Sequence, residues 1–252
     1  MKTLAFCNNK GGVGKTTTCF NAAGALSDLG KQVLLIDMDQ QASLSSSFLD
    51  DIHSLPRVIT EVLLDEKKIR EAIRHTAFKG IDIAPANLSL GRIEAEYIGD
   101  PDSQFILADR LKDIEGNYDF ILIDCPPNLG QATRSGMVAS QSLIIPLEAQ
   151  EYSVAGTAYV HGMIAKVKRR ANPGLEVLFY LVSRYDGRRN IEQEYKKAIE
   201  EAFGYKVFRH PIKDSVKYSE SVTLRKPITF YDPKSEQAFV FRELAREVAS
   251  HE

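Results

Sequence analysis

The stretch Lys10-Gly11-Gly12-Val13-Gly14-Lys15-Thr16-Thr17 constrains this chain more than any other. It follows an apolar run over 3–8 and opens an amphipathic helical pattern over 16–29. A phosphate chain needs many donors close by and no side chains in the way. Glycines let successive backbone N–H groups turn inward, and the following helix adds the positive end of its dipole. Lys15 is spaced to reach the β- and γ-phosphates, and Thr16 to bind Mg²⁺. Lys10 is an addition, because such a loop does not require a lysine before its first glycine. The fold must present a strand end that leads straight into a helix start.

The rest of the chain repeats that alternation. Strand patterns fall at 3–8, 32–37, 81–84, 118–124, 142–146, 176–182 and 205–209. Several are apolar on successive residues, such as Val33-Leu34-Leu35-Ile36 and Phe120-Ile121-Leu122-Ile123, as strands buried on both faces should be. Helical patterns lie near 16–29, 103–116, 151–171, 190–203 and 235–250, and Gly30 stands where the first should stop. The class is α/β: a doubly wound, mostly parallel sheet with helices on both faces and right-handed crossovers. The segment 38–80 is the least regular and reads as a surface excursion with short helices. No repeat, low-complexity tract or linker divides the 252 residues, which are expected to form one domain.

Composition excludes several classes. Hydrophobic residues make up 44% and charged residues 26%, ordinary for a globular chain and enough for a core without disulfides. Cys7, Cys19 and Cys125 are odd in number and lack metal-ligand spacing, which fits reduced thiols. No apolar run approaches the ~20 residues of a membrane span, and the N-terminus turns polar too early for a signal peptide. A cytoplasmic protein is expected. Net charge is −2, yet residues 161–234 hold 16 Lys+Arg against 9 Asp+Glu. That basic stretch on an acidic remainder suits phosphate backbones read without regard to sequence. Its candidates for DNA contact are Arg184, Arg188, Arg189, Lys196, Lys197, Lys217, Arg225 and Lys226.

Two acidic segments complete the chemistry. Phe120-Ile121-Leu122-Ile123-Asp124 is an apolar strand ending in an acid, the usual way to hold the water shell of Mg²⁺ beside a phosphate loop. Asp37 and Asp39 end another strand, on Asp37-Met38-Asp39-Gln40-Gln41. No Asn-Lys-x-Asp guanine-reading segment follows, which favours ATP over GTP.

These motifs together resemble the ParA/MinD ATPases, P-loop NTPases of the deviant Walker A type, nearly end to end. The 10–17 loop looks like their deviant Walker A box, whose signature lysine precedes the glycines. Asp37-Met38-Asp39-Gln40-Gln41 is similar to their Asp-x-Asp-Pro-Gln, and Asp124-Cys125-Pro126-Pro127-Asn128-Leu129-Gly130 to their Walker B and switch segment. Tyr231-Asp232-Pro233-Lys234-Ser235 looks like the C-terminal signature of the ParA branch. The resemblance implies a homodimer around two ATP molecules, with Lys10 reaching the partner's nucleotide. It assigns Gly11, Gly12, Val13, Gly14, Lys15, Thr16 and Thr17, with Lys213 and Ser215, to the nucleotide. Asp39, Lys10 and Lys15 become catalytic; Thr16, Asp37 and Asp124 serve the metal. It further implies binding to DNA without sequence preference, nucleoid association, and a ParB-like or cargo-adaptor protein that stimulates slow hydrolysis. The cargo is a plasmid, a chromosome or a protein assembly such as a carboxysome.

Departures from the pattern are specific. Gln40 stands where the family usually has proline, Lys213 and Ser215 where many relatives carry proline and asparagine, and Asp214 where a basic residue is frequent. With Lys10 so near the first residue, no separate N-terminal helix-turn-helix domain is expected. Two alternatives stay open: a MinD-like membrane-associated positioning ATPase, and a metabolic or redox P-loop enzyme of the same superfamily. The C-terminal end, acidic at its tip and without aromatics, is poor membrane bait.

Overall fold

Strands walled by helices on both sides need apolar side chains at every position, and the central strands here have them. The computed structural model describes residues 1–251 apart from 66 and 152. One sheet contains β1 (Lys2–Phe6), β2 (Val33–Asp37), β3 (Arg74–His75), β4 (Ile81–Ala84), β5 (Phe120–Asp124), β6 (Ser142–Glu148), β7 (Glu176–Tyr185) and β8 (Ile212–Lys213). Their spatial order is β3-β4-β2-β5-β1-β6-β7-β8. Only β3 runs antiparallel, against β4; the other pairings are parallel. The doubly wound, mostly parallel sheet read from the sequence is the observed fold.

The longer helices are α1 (Lys15–Asp28), α2 (Gln131–Val138), α3 (Ser153–Arg170), α4 (Asn190–Phe203), α5 (Val216–Thr223) and α6 (Glu236–Ser250). Alternation along the strands divides the core in two. Leu4, Phe6, Leu35 and Leu122 pack with Phe20 and Leu26 of α1 and Phe241 and Leu244 of α6. Ala5, Leu34, Ile36 and Ile121 face the other side, with Met137 of α2 and Val160 and Ile164 of α3.

Three local expectations are corrected. The stretch 205–209 is not a strand: a 3-10 turn occupies Gly204–Lys206, and Val207 makes a single bridge to Tyr180. Pro211 has no N–H to add a rung, so the edge strand starts only at Ile212. The pattern at 103–116 is broken into 3-10, α and 3-10 pieces. The 38–80 segment is not merely a surface excursion, because Leu44, Ile59, Val62, Leu63 and Ile69 are buried.

Helix α1 carries the phosphate loop, so its seating fixes the site. Asn21 accepts the Ile228 N–H at 2.7 Å and donates to the Thr17 carbonyl at 2.8 Å. A Cβ on Gly24 would lie 2.3 Å from Pro227 Cβ. Gly24→Ala is therefore expected to destabilise. The helix-propensity gain is about 1 kcal/mol, whereas overpacking costs about 1–3 kcal/mol, and here the obstacle is a rigid ring. A thermal melt checks this; a raised melting temperature would refute the close-packing account.

Candidate nucleotide-binding site

The loop that precedes α1 has the backbone its sequence requires. Gly12 (φ 76°) and Gly14 (φ 84°) occupy the left-handed region, where a side chain is strained. The start of α1 has neither a side-chain cap nor an acidic residue in its first turn. Its N–H groups and dipole are left for an external anion. Ser183 of β7 ties the loop down, its Oγ donating to the Val13 carbonyl at 2.7 Å.

Behind the loop, parallel register puts Asp124 level with Asp37 on one side and Phe6 on the other. The Thr16 hydroxyl donates to Asp124 Oδ2 at 2.6 Å, while Asp124 Oδ1 is buried without a partner. Burial, then the nearby Asp37, pushes the Asp124 carboxyl well above the usual carboxylate range, against the pull of Thr16 and Lys15. Lys15 is 7% exposed and donates from Nζ to the Lys10 carbonyl at 3.0 Å. Burial lowers its pKa, with Asp124 acting in the opposite direction.

This donor set fits Mg²⁺. The ion prefers hydroxyl and carboxylate oxygens and keeps several waters. The orphaned Asp124 oxygen is a group that is costly to leave unmet. Asp37 sits beside Asp124 on the neighbouring strand. Its Oδ1 accepts the Asp39 N–H at 3.0 Å, and its Oδ2 accepts the Ser45 N–H and hydroxyl at 2.8 and 2.7 Å. Burial holds its pKa up to about 6 in spite of those bonds. Asp37 thus builds the turn that presents Asp39, rather than offering a free oxygen to a metal. Asp39 itself lines a cleft of about 370 Å³ with Lys15, Thr16, Thr17, Pro127 and Val222.

A second cleft of about 320 Å³ continues from Gly12, Gly14 and Thr17 to Ser183, Lys213, Ser215 and Tyr218. Ser215 caps α5 by accepting the Lys217 N–H at 3.3 Å, and Lys213 pairs with Glu236 at 2.6 Å. Lys10 turns away from its own loop. Its Nζ meets Glu148 Oε2 at 2.7 Å and Gln150 Oε1 at 2.6 Å, at the end of β6.

The basic candidates divide. Arg184 lies over the phosphate loop, 3.4 Å from the Gly12 carbonyl and 3.5 Å from Glu148. With Arg188, Arg189 and Lys213 it lines an open cleft of about 570 Å³. Arg188 pairs with Asp186, Arg189 with Glu192, Lys217 with Asp232 and Lys197 with Glu201. Lys196 and Arg225 pair with Glu200 and Asp50. Among the described residues Lys226 makes no ion pair. Exposed pairs of this kind are worth about 0–1 kcal/mol, so a phosphate could displace them. Sequence reasoning missed Ser45, Ser183 and Glu148. Glu148 carried a signal, because it is an acid ending an apolar strand, as Asp124 is.

The chain is similar to several known proteins. A family model described as an AAA domain matches residues 1–177. The sporulation initiation inhibitor protein Soj of Bacillus subtilis is 33% identical over 250 residues, 99% of each chain. The chromosome partitioning protein ParA of Caulobacter vibrioides is 34% identical over 254 residues, 100% of this chain and 95% of its own. Among solved structures, cobyrinic acid a,c-diamide synthase from Mycobacterium smegmatis with bound ATP analog and magnesium superposes with a TM-score of 0.86. It is 30% identical, covering 98% of this chain and 93% of its own.

Removing the buried ammonium should weaken triphosphate binding. Lys15→Ala is expected to lose a charge-assisted hydrogen bond worth about 1.5–3 kcal/mol, roughly ten- to hundred-fold in affinity for Mg-ATP. Calorimetric titration measures it, and wild-type affinity in the variant would displace Lys15 from the phosphate site.

Proposed function

The chain belongs to the ParA/MinD family of P-loop ATPases. From that membership we propose that it is an ATP hydrolase that dimerises around two ATP molecules and binds DNA without sequence preference. In this reading it segregates or positions a cargo on the nucleoid, with hydrolysis stimulated by a ParB-like or cargo-adaptor partner.

One observation carries the reading: the Lys10 ammonium faces away from its own phosphate loop and is half exposed, held by Glu148 and Gln150. A lysine that served only its own nucleotide would point inward, as Lys15 does. Exchanging Glu148 for a partner's triphosphate would let Lys10 neutralise charge in trans, much as an arginine finger does. Within each subunit, Lys15 and the glycine N–H groups bind the β- and γ-phosphates, and Thr16 and Asp124 hold Mg²⁺. Mg²⁺ when bound neutralises charge developing on those phosphates. Asp39 orients the attacking water at the mouth of the cleft.

The alternatives find less support. Most large apolar residues of the C-terminal helix, Phe241, Leu244 and Val248 among them, are buried in the core, which leaves Phe239 as its one exposed aromatic for a lipid surface. Among the described residues no helix is long and apolar enough to cross a membrane. Cys7, Cys19 and Cys125 are all buried, which disfavours a cluster shared between subunits. The likeness to a diamide synthase favours an amide-forming enzyme, whose acidic substrate would need cations beside the γ-phosphate. The adjoining cleft is instead lined by Asp39 and Glu94, with no Lys or Arg among its lining residues.

Binding of random-sequence duplex DNA with Mg-ATP, Mg-ADP or no nucleotide tests the proposal. Wild type should bind only with Mg-ATP, and Lys10→Ala under none of these conditions. Equal binding by Lys10→Ala, or none by wild type, would overturn the dimer-coupled switch.

A further inference from the structure

Two glycines that side-chain ends approach closely mark a contact outside the nucleotide cleft. A Cβ on Gly130 would fall 2.4 Å from Glu94 Oε1, and a Cβ on Gly91 would fall 2.2 Å from Gln40 Oε1. Gly130 closes the loop that follows β5, whose last residue is Asp124. Gln40 follows Asp39 in the loop after β2. Gly91 and Glu94 belong to one short segment, a 3-10 turn over Leu88–Gly91 running into a helix over Arg92–Glu96. The buried Ile93 anchors that segment in the core.

The Glu94 contact is specific. Helix α2 has no side-chain cap of its own. Glu94 supplies one from a remote segment, its Oε2 accepting the Gln131 N–H at 3.0 Å and its Oε1 the Ala132 N–H at 3.4 Å. A carboxylate also complements the positive end of the helix. The same segment, the Asp39-Gln40-Gln41 turn and Pro126-Pro127-Asn128 surround one cleft of about 380 Å³. The 88–96 segment therefore braces both loops that flank the phosphate site.

We infer that Glu94 is a positioning residue for hydrolysis: it ties the start of α2, and so the loop after β5, to the 88–96 segment, which meets Gln40 of the loop after β2 at Gly91. Asp39 is thereby kept in register with the Thr16–Asp124 site. The inference rests on the reading of Asp39 as the residue that orients the attacking water. Binding of the triphosphate, which depends on the glycine loop and Lys15, does not run through Glu94. Loss of the brace therefore separates catalysis from affinity.

The test is single-turnover hydrolysis of bound Mg-ATP, with affinity and melting temperature measured in parallel. Glu94→Ala should slow hydrolysis about ten- to hundred-fold, the scale of a misplaced reacting group, while Mg-ATP affinity holds. Glu94→Gln keeps an oxygen acceptor and should recover much of the rate. Gly130→Ala, which pushes the carboxylate off its N–H donors, should slow hydrolysis as Glu94→Ala does, and combining the two should add little. A wild-type rate in Glu94→Ala, or a rate loss matched by an equal affinity loss, would overturn this inference alone. A wild type that does not hydrolyse bound ATP would overturn the proposed function and the inference with it.

Discussion

The site is organised around a buried carboxylate that the fold leaves half satisfied. Asp124 ends a strand whose every residue is buried, and of its two oxygens only Oδ2 has a partner, the Thr16 hydroxyl. An unmet buried carboxylate oxygen costs on the order of a few kcal/mol. A hard cation at that position would satisfy it. Thr16 is the second residue of α1, so a cation held there also lies at the uncapped helix start where phosphates gather. Sheet register then places Asp37 beside Asp124. Two carboxyls in one buried layer resist ionising together, and Lys15 works against that resistance.

The surroundings divide the labour. Asp37 spends both oxygens on the turn that carries Asp39, and Ser45, its partner there, also accepts the Ala86 N–H at 2.9 Å. Ser183 and Arg184 hold the phosphate loop from β7. Glu148 occupies Lys10. Lys15 and Asp124 are buried, whereas Lys10 sits in a half-exposed pair that can be exchanged.

Much of this was legible in the sequence, for physical reasons. The strands that form the centre of the sheet are apolar at successive positions, a pattern that survives without knowledge of partners. The glycine loop is a local backbone requirement, and Thr16 and Asp124 follow from spacing alone. What stayed hidden depended on distant contacts. Helix α2 was missed because Gln131-Ala132-Thr133-Arg134-Ser135-Gly136 carries no large apolar stripe, and its cap comes from Glu94, 37 residues away. The resemblance assigned Asp37 to the metal, and nothing nearby in sequence announced that Ser45 would fold back onto it. The basic stretch could be counted, but its pairing with Asp186, Asp232 and Asp50 appears only in the fold.

In the proposed function, Asp124 and Thr16 hold the cation beside the phosphate loop. The most direct measurement is ATP affinity as a function of Mg²⁺ for wild type and Asp124→Asn, with melting temperature confirming that the variant folds. Wild-type affinity should rise steeply with Mg²⁺, and the folded variant should bind ATP with little dependence on the metal. An Asp124→Asn protein that keeps the full Mg²⁺ dependence would contradict the account.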